Sequence, residues 1–266
     1  MTTVFFLFLL HLSLGLLAML PFVPERAGAR FFKFCSASAA FMTTGALWLL
    51  YRRYGLEGGA VAPGGASYRA VLAWTAAALV LTVLYNRAVH FGWRRAAHAT
   101  LALALGAGAG TVLAAAAPGP RALLAVTDLS SILLLGAAAS AMVLGHWYLV
   151  VLDLPITALR RLTVLLIVGL GVRTVLVGFV LAGPVHAAYE DARAVAAGLW
   201  SPDGVFVWMR LLFGLLGPLS LLWFIWKTVE IRSTQSATGI LYVQLFLVLS
   251  GELLAKYLRV AAGLPL

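Results

Sequence analysis

A single cysteine, Cys35, occurs among 266 residues. One thiol excludes a disulfide framework, a thiolate metal site and an iron–sulfur ligand set built from this chain alone. Charge is scarce too. Charged residues make up 11% of the sequence, and acids are the rarer sign, 9 against 19 Lys and Arg. The sequence has no Walker loop, no HExxH, no nucleophile elbow with a matching triad and no metal ligands at ligand spacing. These absences leave no catalytic residue of the soluble-hydrolase kind and no metal site to nominate. Nor does any stretch between apolar runs have the length of an independent soluble domain. The longest connection runs from about Pro184 to Gly204.

What the chain has is apolar surface. At 63% hydrophobic residues, it carries more than a soluble domain can hide, so its solvent is the lipid bilayer. Apolar runs recur along the whole length. We read an all-α, polytopic transmembrane helical bundle, one integral-membrane domain over residues 1–266. The formal charge of +10 would suggest nucleic acid in a soluble protein. Here the arginines fall mostly in short loops, where the positive-inside rule explains them, and no nucleic-acid partner is expected. The first apolar run lacks a basic leader and a small-residue cleavage site, so it reads as a retained first helix.

Eight spans are expected: Thr3–Val23, Phe31–Tyr51, Ser67–Tyr85, Ala96–Ala117, Ala122–Val150, Arg161–Gly183, Val205–Lys227 and Thr238–Leu258. Pro21, Pro24, the Gly-Gly pairs at Gly58 and Gly64, Pro118-Gly119-Pro120, Pro155, Pro184 and Pro202-Asp203-Gly204 punctuate them. The third span is the weakest, because Arg69 and Asn86 shorten it. The connection His186–Leu199 has helical composition without spanning length. It reads as a surface helix in a loop, or as one lying on the membrane face. Most tryptophans and several tyrosines, among them Trp93, Trp147, Tyr148, Trp223, Trp226 and Tyr257, fall near span ends, as an aromatic belt requires. Ten Lys and Arg fall on the side reached by the loops after spans 1, 3, 5 and 7, and eight on the other, Arg210 and Lys256 included. This bias predicts both termini on the outer side, which is periplasmic for the cytoplasmic (inner) membrane expected of a bacterial chain.

Ionisable groups inside a bilayer need a partner or a purpose. Counted at about 1.5 Å per residue, His11, Asp128, Arg210 and Glu252 lie roughly 8–12 Å inside one face, and Arg173 about 15 Å in. Five side chains from five helices therefore share one half of the membrane. The bland expectation is that they neutralise one another and tie helices together. The functional one is a polar pocket in an apolar wall, where His11 exchanges a proton, Glu252 or Asp128 passes protons outward and an arginine tunes their charge. A quinone suits such a pocket: an apolar tail, two carbonyl oxygens and a need for protons. A transported solute or ion suits it nearly as well. Near the opposite face, His98 and His146 sit at matching depth, as b-type haem ligands would; water or headgroups satisfy such histidines equally well.

Packing signals complete the list. Pro218 lacks an amide hydrogen, so it should kink span 7 and free the carbonyl near Gly214. Gly106, Gly108 and Gly110 give span 4 a small-residue surface for close helix contact, inside the chain or against another subunit. Gln244 and Glu252 share one face of span 8, which should point inward.

Eight spans, both ends outside, no cofactor-binding cysteines and a first-helix histidine near the outer face together resemble the membrane anchors of polysulfide and dimethyl-sulfoxide reductases. The resemblance is one of architecture over the whole chain and assigns no residue roles. It implies a haem-free anchor in a multi-subunit respiratory enzyme that exchanges electrons with menaquinone; the polar pocket read from the residues would take menaquinone or ubiquinone. Partner subunits outside the membrane would hold the iron–sulfur clusters.

Overall fold

The structure, a computed structural model, describes residues 1–55, 68–115, 121–151, 154–182, 204–261 and 263. Among these residues the chain is helical and contains no strand. Eight helices are long and apolar enough to cross a membrane. They are α1 (Thr2–Met19), α2 (Gly28–Tyr54), α3 (Tyr68–His90), α4 (Arg94–Ala115), α5 (Arg121–Tyr148), α6 (Thr157–Ala182), α7 (Gly204–Glu230) and α8 (Thr234–Ala261). The expected all-α, multi-pass membrane architecture is therefore the one observed. The connection His186–Leu199, Gly58, Gly64 and Pro118–Pro120 lie outside the described residues.

Helix ends follow from local chemistry. Pro21 and Pro24 interrupt the chain after α1, which continues as two short 3-10 turns, Leu20–Phe22 and Glu25–Ala27, before α2 begins. Between α3 and α4, Gly92 takes φ +72° and the Trp93 amide donates to the Ala88 carbonyl at 2.9 Å. This is a Schellman closure, in which glycine accepts the left-handed conformation at no steric cost. Arg232 adopts the same conformation (φ +59°) between α7 and α8, where the Ser233 amide donates to the Thr228 carbonyl at 2.9 Å.

The chain divides into two compact units, Met1–Asp128 and Leu129–Leu266. In the first, α1 packs on α2 and α4, α2 on α3, and α3 on α4. The small residues of α4 are used inside this unit: Gly108 faces Leu14 of α1 and Gly110 faces Trp74 of α3. Ser13 of α1 donates to the Ala39 carbonyl of α2 at 2.9 Å and shares a 2.7 Å bond with the Thr43 hydroxyl. Asn86 does not cut the third span short. Its side-chain amide donates to the Lys33 carbonyl (2.9 Å) and the Ser36 hydroxyl (2.8 Å), so α3 carries it at no loss of bonding and runs on to His90.

In the second unit glycines set the close approaches. Gly169 of α6 lies against the Leu134 backbone of α5, Gly145 of α5 against Thr238 of α8, and Gly214 of α7 against Gly251 of α8. α7 contains a π-helical segment, Leu212–Leu216, just before Gly217 and Pro218. Pro218 offers no N–H to the Gly214 carbonyl four residues back. The wider turn and a side-chain donor, described below, absorb that loss.

A side chain at Gly251 would overlap the Gly214 backbone, whereas a methyl at Gly171 meets nothing within 4 Å. Gly251→Val should therefore cost about 1–3 kcal/mol, as overpacking does, while Gly171→Ala leaves stability unchanged or slightly raised. Thermal unfolding of the two variants in detergent checks the contrast.

Candidate functional site

The second unit is organised around one carboxylate. Glu252 lies on the buried stripe of α8 that also carries Leu241, Gln244, Val248, Gly251 and Ala255, spaced three and four residues apart. Lys256 is four residues on, so it falls on the same face as Glu252. The Gly169–Leu134 contact fixes the register of α6 on α5. One turn further along each helix, Arg173 of α6 meets Ser130 of α5, with its Nη1 donating to the Ser130 hydroxyl at 3.3 Å. The Gly214–Gly251 crossing brings α7 close enough for Arg210, one turn earlier, to reach Glu252.

Donors from α5, α6, α7 and α8, the four described helices of this unit, converge. Arg173 grips the carboxylate with a fork, Nε to Oε1 at 2.9 Å and Nη2 to Oε2 at 3.2 Å. Arg210 donates from Nη2 to Oε1 at 3.1 Å. The Ser131 hydroxyl of α5 donates to Oε2 at 2.5 Å, and Lys256 lies 3.3 Å from the same oxygen. Lys256 also donates to Ser131 at 2.6 Å. All of these side chains are buried. Charge-assisted bonds of this kind are short and geometrically specific, and in an apolar interior they are what makes the charges tolerable. The other hand of Arg210, Nη1, donates to the Gly214 carbonyl at 3.2 Å. That is the carbonyl stranded by Pro218, so one guanidinium both satisfies the broken helix and holds the acid.

The five expected site residues fall into two sets. Arg173, Arg210 and Glu252 form the centre just described. His11 and Asp128 belong to the first unit, where His11 Nε2 lies 3.8 Å from Asp128 Oδ1 and both are buried. This is ion-pair range, longer than a direct hydrogen bond. Lys256, read from the sequence as a loop cation, is instead part of the Glu252 centre. Its i, i+4 spacing from Glu252 was the available signal. Ser131 had none, because serines are common at helix packing faces.

The candidate haem ligands are both exposed. His98 lines a cleft in the first unit, and His146 of the second shares a 3.3 Å bond with the Tyr242 hydroxyl. No group of three or more His, Cys, Asp or Glu that could hold a metal occurs among the described residues. Gln244, expected to face inward, is fully buried, and neither atom of its amide has a hydrogen-bond partner among the described residues.

No family model matches the chain, and neither a curated protein nor a solved structure matches it. Fold and site thus define the class: a multi-pass helical membrane protein with an ion-paired carboxylate at the heart of its second unit.

Removing that carboxylate leaves Arg173 and Arg210 buried without their shared acceptor. Glu252→Ala should cost about 3–5 kcal/mol, and Ser131→Ala about 1–3 kcal/mol. The unfolding midpoints of the purified variants test this order. Equal stability of wild type and Glu252→Ala would show that the centre does not hold the helices.

Proposed function

We propose that the protein is an integral-membrane subunit of a respiratory electron-transfer complex that exchanges electrons and protons with a quinone. The observation that carries this reading is the Glu252 centre, a buried carboxylate approached by donors from α5, α6, α7 and α8. Quinone reduction needs protons at a carbonyl oxygen inside an apolar wall. Guanidinium donors are suited to binding such an oxygen, and hydroxyl, ammonium and carboxyl groups to relaying a proton to it. The His11–Asp128 pair supplies a second buried acid and base. Gln244, two turns along α8 from Glu252, has a buried donor and acceptor with no partner among the described residues. Burying an amide in that state is costly unless a polar group meets it.

On this reading the subunit sits in a bacterial cytoplasmic membrane, is free of haem, and docks partners that carry the redox centres. With Arg210 and Lys256 assigned to the interior, six cations remain on the side of the termini against ten on the other. That bias supports termini on the periplasmic side.

A second reading, an ion or solute transporter, is favoured by the π-helical segment Leu212–Leu216 beside Pro218. π-turns inside α-helices often mark functional positions. Two measurements separate the readings. Glu252→Gln and His11→Ala, made in the native membrane, should abolish quinol-dependent electron flow while the complex still assembles. The purified protein alone in liposomes should carry no solute or ion flux. Full electron flow in both variants would end the quinone reading. Flux by the isolated protein would favour transport, and failure of both variants to assemble would leave the centre a structural clasp. A Soret band in the purified protein would bring haem ligation by His98 or His146 back.

A further inference from the structure

The first unit contains a cleft of about 520 Å³ that none of the residues around Glu252 lines. It opens where α1 ends, α2 begins, α3 ends and α4 begins, at the level of the helix termini and not in mid-span. Its wall is largely apolar, with Leu20, Phe32, Val89, Ala97 and Leu101 among the lining residues. Its volume is that of an ordinary small-molecule site. At the mouth Arg94 and Glu25 form an exposed ion pair at 2.9 Å.

The charge around this mouth is one-sided. The two segments that build the cleft, residues 20–34 and 85–101, carry Arg26, Arg30, Lys33, Arg87, Arg94 and Arg95 against the single acid Glu25. That acid is already engaged by Arg94. The positive-inside rule accounts for cations in such loops. It does not account for an apolar cleft placed among them. Cations around an apolar slot at a bilayer surface are complementary to a molecule with an anionic head and a hydrocarbon tail.

We propose that this cleft is a binding site for an anionic phospholipid of the surrounding bilayer. Arg94, which lines the cleft, holds the phosphate, Arg30 and Arg95 add positive charge from the same two segments, and Phe32, Val89 and Leu101 receive the first part of an acyl chain. The site is independent of the Glu252 centre and of any quinone chemistry there.

The test uses the full-length protein in a neutral detergent, with phosphatidylglycerol, cardiolipin and phosphatidylcholine as probes. Native mass spectrometry counts bound lipid, and thermal unfolding reads its effect. Phosphatidylglycerol or cardiolipin should bind and raise the unfolding midpoint where phosphatidylcholine does not. The triple variant Arg30→Gln, Arg94→Gln, Arg95→Gln should lower that binding about tenfold or more, given the attraction of each cation to an anionic surface. Ala29→Trp, at an exposed position lining the cleft, should displace the lipid while the lipid-free midpoint holds. If it fails to fold, the arginine variant decides alone. Equal binding of phosphatidylcholine, the same stabilisation by inorganic phosphate, or undiminished lipid in the arginine variant would overturn the proposal. So would displacement of the lipid by menaquinone with affinity unchanged in that variant.

Discussion

A carboxylate stripped of water is the constraint around which the second unit is built. An isolated charge is expensive in an apolar interior, and the expense disappears only when donors surround it closely. Glu252 meets this condition through Ser131, Arg173, Arg210 and Lys256, one residue from each of α5, α6, α7 and α8. No single helix could supply that set. The centre forms only when the four are packed, so the same bonds that make the acid tolerable also define the arrangement of the helices. In lipid, where hydrophobic burial does not distinguish helix faces from acyl chains, such polar contacts and close steric fit are what remain to specify packing.

Glycine supplies the close fit. Gly145, Gly169, Gly214 and Gly251 each remove a side chain where a neighbouring helix needs the space. Each contact fixes a register, and the charged residues lie within a turn or so of two of them. The break in α7 is integrated with the same centre. Pro218 withholds a donor, the chain widens into a π segment, and Arg210 gives one of its N–H groups to the stranded Gly214 carbonyl. Proline, glycine and arginine here act as one local solution: Pro218 offers the Gly214 carbonyl no N–H, and the guanidinium needed for Glu252 is placed to bind it.

Much of this was legible along the chain. Long apolar runs can only be helices in a bilayer, because only helices and closed barrels satisfy their own backbone there. Depth arithmetic placed His11, Asp128, Arg210 and Glu252 at one level as a single set; the structure pairs His11 with Asp128 and Arg210 with Glu252. Arg173, counted a few ångströms deeper, still reaches Glu252 because its stem is long. Lys256 was misplaced for a simple reason. It lies close enough to the end of its helix to pass for a loop cation, and only its spacing from Glu252 hinted otherwise. Asn86 was misjudged because a polar side chain weakens a span only if it lacks a partner. Its partners, Lys33 and Ser36, are some fifty residues away in sequence.

Composition and periodicity alone determined that the chain is a helical membrane protein, and eight helices of spanning length are found among its described residues. They also marked most of the ionisable groups that lie inside it, Lys256 excepted, since hydrocarbon imposes length and apolarity on every spanning segment. Only the tertiary structure decided which of those groups share a centre. Depth is a one-dimensional quantity that residue counting recovers. Which faces meet depends on how glycines, hydroxyls and the π segment of α7 fit against neighbouring helices, and that fit is not written in any one segment.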